Sequence, residues 1–360
     1  MKLLFLNTNI GYGGAEKMIV WLANQCAENG HDVTFFTYRD NKIMQPLSRL
    51  VKYNHVQLET GGASLSMLRT VQYLHDYIKE EKFEIGVAFL SPSMLRMALA
   101  AKGTKMKVIF SHRGDPYYRA PQTSLKLKLF GRLNSWAFRQ ADWYVFQTQQ
   151  AKEYFCSEIQ SRSTVIPNPI TPLARTKGRE GKIEKVIVTV GRIDIKQKRQ
   201  DLLIEAFNLI SPKYPDFELR IYGSGENEAE LTNLAKTNGR IKLMGKTSKV
   251  AEAIQNAAFF VLTSDFEGIP NALLEAMSLG LPCISTDCSP GGAKMVIDGS
   301  DKGIVVERGN AKKLSEAMEY LILNPDSAEK MGNSAMEVNT RFHQCTISKM
   351  WLDIISKVKQ

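Results

Sequence analysis

Short apolar runs alternate along the whole chain with stretches in which hydrophobic residues return every three or four positions. In the first half, runs 3–7, 33–38, 85–89, 107–111, 143–147 and 164–166 predict strands. Helices are predicted over 15–29, closed by Gly30, and over 65–79 and 122–139. A second series gives strands 186–190, 218–222, 241–243, 257–262, 283–286 and 304–306, with helices over 199–211, 228–237 and 250–256. This alternation predicts an α/β protein with doubly wound sheets. Between the two series stand Pro167, Pro169 and Pro172, then the polar, aperiodic segment 175–182, the best linker candidate. The pattern divides the chain into domains 1–170 and 171–345. It ends in an amphipathic helix near 346–357 carrying Ile347, Trp351, Ile354 and Ile355.

Candidate chemistry concentrates after strand 257–262. A polar loop containing Glu267 leads to Pro270, expected at the first helical position, and a helix through Leu273, Leu274 and Met277 that stops at Gly280. Glu267 therefore lies above a strand end and Glu275 on the helix that leaves it. In an open α/β sheet that rim binds ligands, and the free amides of such a helix start attract phosphate. The two carboxylates would repel phosphate, so they suit hydroxyl partners. A ligand with phosphates in the middle and hydroxyls at both ends is a nucleotide sugar.

The stretch from Ser264 to Gly280 resembles the E-x7-E signature of family-4 retaining glycosyltransferases, of the bacterial polysaccharide and lipopolysaccharide type. Three further segments are similar to motifs of that family in matching order: Gly11-Tyr-Gly-Gly-Ala-Glu16, Val190-Gly-Arg-Ile-Asp-Ile-Lys-Gln-Lys198 and Tyr222-Gly-Ser-Gly225. The resemblance implies the GT-B fold, two Rossmann-like doubly wound domains facing each other across a cleft. The final helix, 346–360, would pack back on the N-terminal domain. The C-terminal domain would hold the donor and the N-terminal domain the acceptor.

Residue by residue, the resemblance implies that Arg192 and Lys198 grip the donor diphosphate and neutralise the leaving group. The spacing between them is one residue longer than the family's, which makes Lys196 a rival; the following helix favours Lys198. Glu275 would hold the ribose hydroxyls and Glu267 those of the donor sugar. Gly268 and the amides of Ile269, Asn271 and Ala272 would meet the phosphates, and Gly223, Gly225 and residues 243–246 the base. Gly13 and Gly14 would lie beside donor phosphate or acceptor, with Glu16 alternatively a helix-start charge. His112, at a strand end, would approach the reacting centre, although strand-end histidines are often merely packed. The implied reaction is hexosyl transfer from a UDP-sugar, with retention and without a metal, to a glycan, an undecaprenyl-diphosphate-linked glycan or lipopolysaccharide. No cofactor beyond the donor is expected, and no Asp-x-Asp metal motif is present. A silent sugar-nucleotide-binding scaffold and a sugar-nucleotide epimerase are the alternatives. A dehydrogenase is disfavoured because the first glycine loop lacks the last glycine of Gly-x-Gly-x-x-Gly.

At 360 residues the chain suits two ordinary domains. Its five scattered cysteines read as reduced thiols. The opening apolar run is too short for a signal peptide and no run reaches membrane-spanning length, so a cytoplasmic protein is expected. The net charge of +10 is uneven: residues 1–170 carry 21 Lys and Arg against 13 Asp and Glu. Lys102, Lys105, Lys107, Arg113, Arg119, Lys126, Lys128, Arg132 and Arg139 supply the excess. Leu125, Leu127, Leu129, Phe130, Leu133, Trp136 and Phe138 interleave with the later ones. Such a stretch suits peripheral contact with the anionic inner face of a membrane. A half-buried helix with a solvated basic face would read the same way. Nucleic acid is not expected, since no recognition motif accompanies the charge.

Overall fold

The computed structural model describes residues 1–11, 13–39, 43–57, 63–118, 125–170 and 183–360. The expected linker 175–182, Tyr12, Arg119 and the first three residues of the expected helix 122–139 lie outside the described residues. The chain forms two compact units. The first comprises residues 1–147, 151–166 and 347–360, and the second 148–150 and 167–346.

The first unit is built on seven parallel strands: β1 (Lys2–Asn7), β2 (Asp32–Thr37), β3 (Val51–His55), β4 (Ile85–Ala88), β5 (Lys107–His112), β6 (Trp143–Phe146) and β7 (Ser163–Val165). Their order is β3-β2-β1-β4-β5-β6-β7. Strand β1 shows why its four central residues, 3–6, are all apolar. Leu3 and Phe5 pack on one face with Met18, Ile19 and Leu22 of helix Gly14–Glu28. Leu4 and Leu6 pack on the other with Leu74 and Ile78 of helix Ala63–Glu81 and Met94 and Leu95 of helix Ser91–Ala101. A parallel strand covered on both faces reads as a continuous hydrophobic run. The first core also takes Ile347, Trp351, Ile354 and Ile355 from helix Gln344–Lys359. Trp351 is fully buried, its ring 5.7 Å from that of Phe89. Truncating such a side chain costs about 3–5 kcal/mol.

The second unit repeats the plan with six parallel strands: β8 (Glu184–Val190), β9 (Glu218–Tyr222), β10 (Ile241–Gly245), β11 (Ala257–Leu262), β12 (Cys283–Thr286) and β13 (Ile304–Val306). Their order is β10-β9-β8-β11-β12-β13. Ile187 faces Leu203 and Phe207 of helix Gln200–Ile210, whereas Val186 and Val188 face Leu273, Leu274 and Met277 of helix Asn271–Ser278.

The structure adds elements that local pattern did not predict. Strand β3 lies at an edge and is largely polar, so period-two alternation is weak. Helix Ser91–Ala101 is rich in Met, Ala and Leu and buried on several sides, which erases the helical stripe. Helix Ala311–Leu323 does carry a stripe, with Leu314, Ala317, Met318 and Leu321 buried on one face. Pro270 is the residue before helix Asn271–Ser278 rather than its first member, and its carbonyl accepts from Leu273 and Leu274, both at 3.1 Å. Among the described residues no helix is long and apolar enough to cross a membrane. All five cysteines are free.

Candidate functional site

In the second sheet β8 and β11 are neighbours, but the helices that follow them cover opposite faces. Such a reversal opens a crevice at the carboxyl ends of the strands. Asp194 shapes the loop after β8. Its Oδ1 accepts the amides of Lys196 and Gln197, each at 3.1 Å, an Asx-type turn. The chain then brings Lys198 across to β11, where its Nζ bonds to Glu267 Oε1. Ser264 Oγ donates to the same carboxylate oxygen at 3.1 Å. The Lys198 and Glu267 side chains are 21% and 13% exposed, so solvent screens this pair weakly.

The two loops are also laced together through backbone atoms. Asp265 N donates to Gln197 O at 2.8 Å, Gln197 Nε2 to Phe266 O at 3.1 Å, and Thr263 Oγ1 to Lys198 O at 2.8 Å. Lys196 is exposed. Arg192 lies on the rim, where its Nη2 donates to Asp194 Oδ2 at 3.0 Å and Gln197 Oε1 at 2.9 Å. The expected cation pair is therefore split: Lys198 meets the carboxylate and Arg192 stays with its own loop. Arg199, which sequence reasoning did not single out, has left-handed backbone at φ 51° and ψ 43°. For a residue with a Cβ this costs about 1–2 kcal/mol.

Beside this loop a cavity of about 600 Å³ opens at the carboxyl ends of β8, β9 and β10. Gly191, Arg192, Gly223, Gly225, Lys246 and Thr247 are among its walls. Of the expected segment 243–246, Lys246 faces it, while Leu243 packs against the core. The two glycines are also required by backbone packing. A Cβ on Gly223, at φ 142°, would stand 1.8 Å from Gly191 O, and one on Gly225 would stand 2.0 Å from Ile193 O. The loops approach this closely because Gly191 N donates to Tyr222 O at 3.0 Å and Ile193 N to Ser224 O at 3.1 Å.

Across the switch point, Ile269 is buried in the apolar core, Asn271 is exposed and Ala272 and Glu275 are half-buried. The amides of Ile269, Asn271 and Ala272 precede the first intrahelical bonds, at the end that attracts anions. Gly268 O sits where a Cβ on Gly292 would fall, at 1.8 Å, so this loop too is pressed against its neighbour. The Glu267 amide is taken by Ser289 O at 2.7 Å. Among the described residues no group of three or more His, Cys, Asp or Glu could hold a metal ion.

The remaining expected residues belong to the first unit. Gly13 precedes helix Gly14–Glu28 with ordinary φ, and the Glu16 carboxylate folds over it, 2.1 Å from where a Cβ would stand. Glu16 thus fills the space above Gly13, in the first turn where an acid complements the dipole. Gly14 faces open space. His112 ends β5, with its ring 6.0 Å from Phe138, 6.3 Å from Phe146 and 5.6 Å from Phe155. Burial lowers its pKa to about 4, so the ring is neutral at physiological pH. Arg113 stacks on Phe89 at 4.6 Å and on Trp351 at 5.5 Å.

Residues 172–338 match the family described as "Glycosyl transferases group 1", and residues 12–172 match "Glycosyltransferase Family 4". The chain is a family-4 glycosyltransferase. An uncharacterised glycosyltransferase of Haemophilus influenzae is 26% identical to it, over 98% of this chain and 99% of the relative. A Campylobacter jejuni α-1,4-N-acetyl-D-galactosaminyltransferase, named for a PP-undecaprenol-linked glycan, is 22% identical over 100% and 99%. Among solved structures, the lipopolysaccharide outer core galactosyltransferase WaaB superposes with a TM-score of 0.78 at 22% identity, covering 99% of both chains. HepE from Anabaena, solved with UDP, superposes with a TM-score of 0.77 at 17% identity, covering 99% of this glycosyltransferase and 100% of HepE. These likenesses identify the architecture as GT-B, and further relatives, 23% and 26% identical, are named for amylovoran biosynthesis and as a lipopolysaccharide 1,6-galactosyltransferase.

Proposed function

We propose that this glycosyltransferase moves a hexosyl group from a UDP-sugar, with retention and without a metal, to a glycan or lipid-linked acceptor. The observation that carries the reading is the pairing of Lys198 with Glu267 at the switch point, beside the cavity at the ends of β8, β9 and β10. In that pair each charge neutralises the other. A bound donor would exchange these partners: its diphosphate takes the Lys198 ammonium, and Glu267 turns to hydroxyls of the sugar. As the glycosidic bond breaks, negative charge grows on the leaving phosphate, where Lys198 and Arg192 stabilise it. The early amides of helix Asn271–Ser278 would add the dipole of a helix start. Glu275 is assigned to the ribose, and the cavity lined by Lys246 and Thr247 to the base. In the first unit the neutral His112 ring would serve as a hydrogen-bonding group. UDP is favoured by HepE, solved with UDP, and a lipid-linked acceptor by the undecaprenol-named relative.

The same proposal includes peripheral attachment to the inner face of the cell membrane. Its support is helix Leu125–Phe138, where Leu129, Phe130, Leu133 and Trp136 are exposed next to exposed Lys128, Arg132 and Arg139. An apolar face left in solvent beside positive charge suits an anionic lipid surface.

A screen of UDP- and GDP-sugars by thermal shift tests the donor, because a ligand that binds only the folded state raises apparent stability. Nucleotide release that requires an undecaprenyl-diphosphate-linked glycan would separate transfer from epimerisation and from a silent scaffold. Release that persists in a chelator is expected. Loss restored by magnesium or manganese would refute metal independence, and an inverted anomeric product would refute retention.

A further inference from the structure

We infer that Arg199 is a positioning residue, an ionic latch that holds Lys198 on Glu267. The inference rests on the reading of Lys198 as the cation that meets the donor diphosphate. Arg199 follows Lys198 and begins the helix that leaves the site; its carbonyl accepts from Leu202 N at 3.1 Å. Among the described residues, it and Lys82 are the two non-glycine residues with positive φ. Residues with a Cβ disfavour this region unless their surroundings hold them there.

The surroundings here are two carboxylates. Arg199 Nε donates to both oxygens of Asp201, at 3.1 and 3.2 Å, and Nη2 to Asp201 Oδ2 at 3.1 Å. Its Nη1 reaches Asp265 Oδ2 at 3.3 Å, on the loop that ends in Glu267. One guanidinium therefore ties the residue after Lys198 to the residue two before Glu267. A planar fork with donors on separate edges can span two carboxylates; an ammonium is a single point of charge. Asp265 is itself anchored from the far side, since its carbonyl accepts from Ser289 N at 3.0 Å and from Arg308 Nη1 at 3.1 Å. The latch thus fastens the Lys198 loop to a fixed post. Without it, residue 199 can relax to right-handed backbone. That rotation turns the adjoining peptide and draws the Lys198 carbonyl from Thr263 Oγ1, and the side chain with it.

The test compares Arg199→Ala, Arg199→Gly, Asp265→Asn, the Arg199→Ala/Asp265→Asn double variant and Lys198→Ala in the full chain. The readouts are thermal midpoint, UDP affinity, and the kcat and KM of UDP release. The substrate is whichever of UDP-glucose, UDP-galactose and their N-acetylamino forms is turned over fastest. Arg199→Ala and Asp265→Asn should each lower kcat at least tenfold, with a loss of UDP affinity no larger than that of Lys198→Ala. The double variant should fall no more than about twofold below the worse single one, because both changes open the same latch. Arg199→Gly, which accepts the left-handed backbone, should melt within a few degrees of the wild type and still lose rate, separating positioning from folding. Wild-type kcat in Arg199→Ala or Asp265→Asn, or losses that multiply in the double variant, would overturn the latch while an impaired Lys198→Ala leaves the site reading standing. Wild-type kcat in Lys198→Ala would overturn both.

Discussion

Two glycines of one cavity should respond in opposite ways to the same added methyl group. In Gly225→Ala the new Cβ would stand 2.0 Å from Ile193 O, so the loops after β8 and β9 must part by roughly 1.4 Å to reach ordinary contact. That separation breaks the Ile193 N to Ser224 O bond, which is 3.1 Å long. Overpacking costs about 1–3 kcal/mol and a backbone hydrogen bond about 1 kcal/mol, together about 2–4 kcal/mol. For a unit of this size the thermal midpoint should fall by about 5–15 °C. Gly191 lines the same cavity, but its Cβ would meet nothing within 4 Å. Gly191→Ala should therefore keep stability within about 0.5 kcal/mol. It should still weaken UDP, because the methyl group occupies space a ligand would approach. Calorimetric unfolding with and without UDP, together with titration of UDP into each folded variant, measures both effects. A Gly225→Ala variant that melts with the wild type, or a Gly191→Ala variant that is the less stable of the two, would refute the loop packing described here.

Lys198→Ala should lower turnover by about 10²–10³-fold and Lys196→Ala by less than twofold; the reverse order in steady-state assays would transfer the role to Lys196. Glu275→Gln should weaken plain UDP, whereas Glu267→Gln should mainly impair the intact donor; equal loss of UDP affinity in both, read by titration, would contradict that division. His112 is held neutral in the fold with a pKa of about 4, below its ordinary 6.5, so the unfolded chain takes up the proton first as pH falls. The stabilisation from its neutral form is complete above pH 6.5 and is lost between there and pH 4, on the order of 3 kcal/mol. Denaturant titrations at pH 7 and 4.5 should show a smaller pH-dependent loss in His112→Phe, and an unchanged loss would refute this burial. Reversing Lys126, Lys128 and Arg132 to Glu should release the protein from anionic vesicles at low salt and leave UDP binding intact; wild-type protein that ignores such vesicles would remove the membrane proposal.

The sheets were legible because parallel strands buried on both faces announce themselves as runs such as Leu3–Leu6 and Phe259–Leu262. Polar edges and helices without a stripe were not: β3 exposes Lys52, and helix Ser91–Ala101 offers hardly any polar face. The site divides similarly. Lys198 and Glu267 could be named from their own motifs. Their partners could not, because the Arg199–Asp265 contact spans 66 residues and follows no local spacing. The glycines were readable as special positions, but the packing that requires them was not. Gly223 and Gly225 admit the carbonyls of Gly191 and Ile193, a demand that exists only once β8 and β9 lie side by side.

The place of Trp351 sets an order on biogenesis. The first unit starts at the first residue, yet its core includes Ile347, Trp351 and Ile355, which leave the ribosome about 180 residues after Ile166. At translation speeds of about 5–20 residues per second, the earlier part waits on the order of 10–40 s with that groove unfilled. The second unit, encoded in between, can complete its fold during the wait. Ribosome-bound chains arrested after residue 346 has emerged should therefore carry a protease-resistant second unit and a first unit still open to cleavage, and a resistant first unit at that stage would contradict the order. Nascent chains would thus spend their most vulnerable interval with the indole's seat against Phe89 exposed, a surface for chaperones to cover.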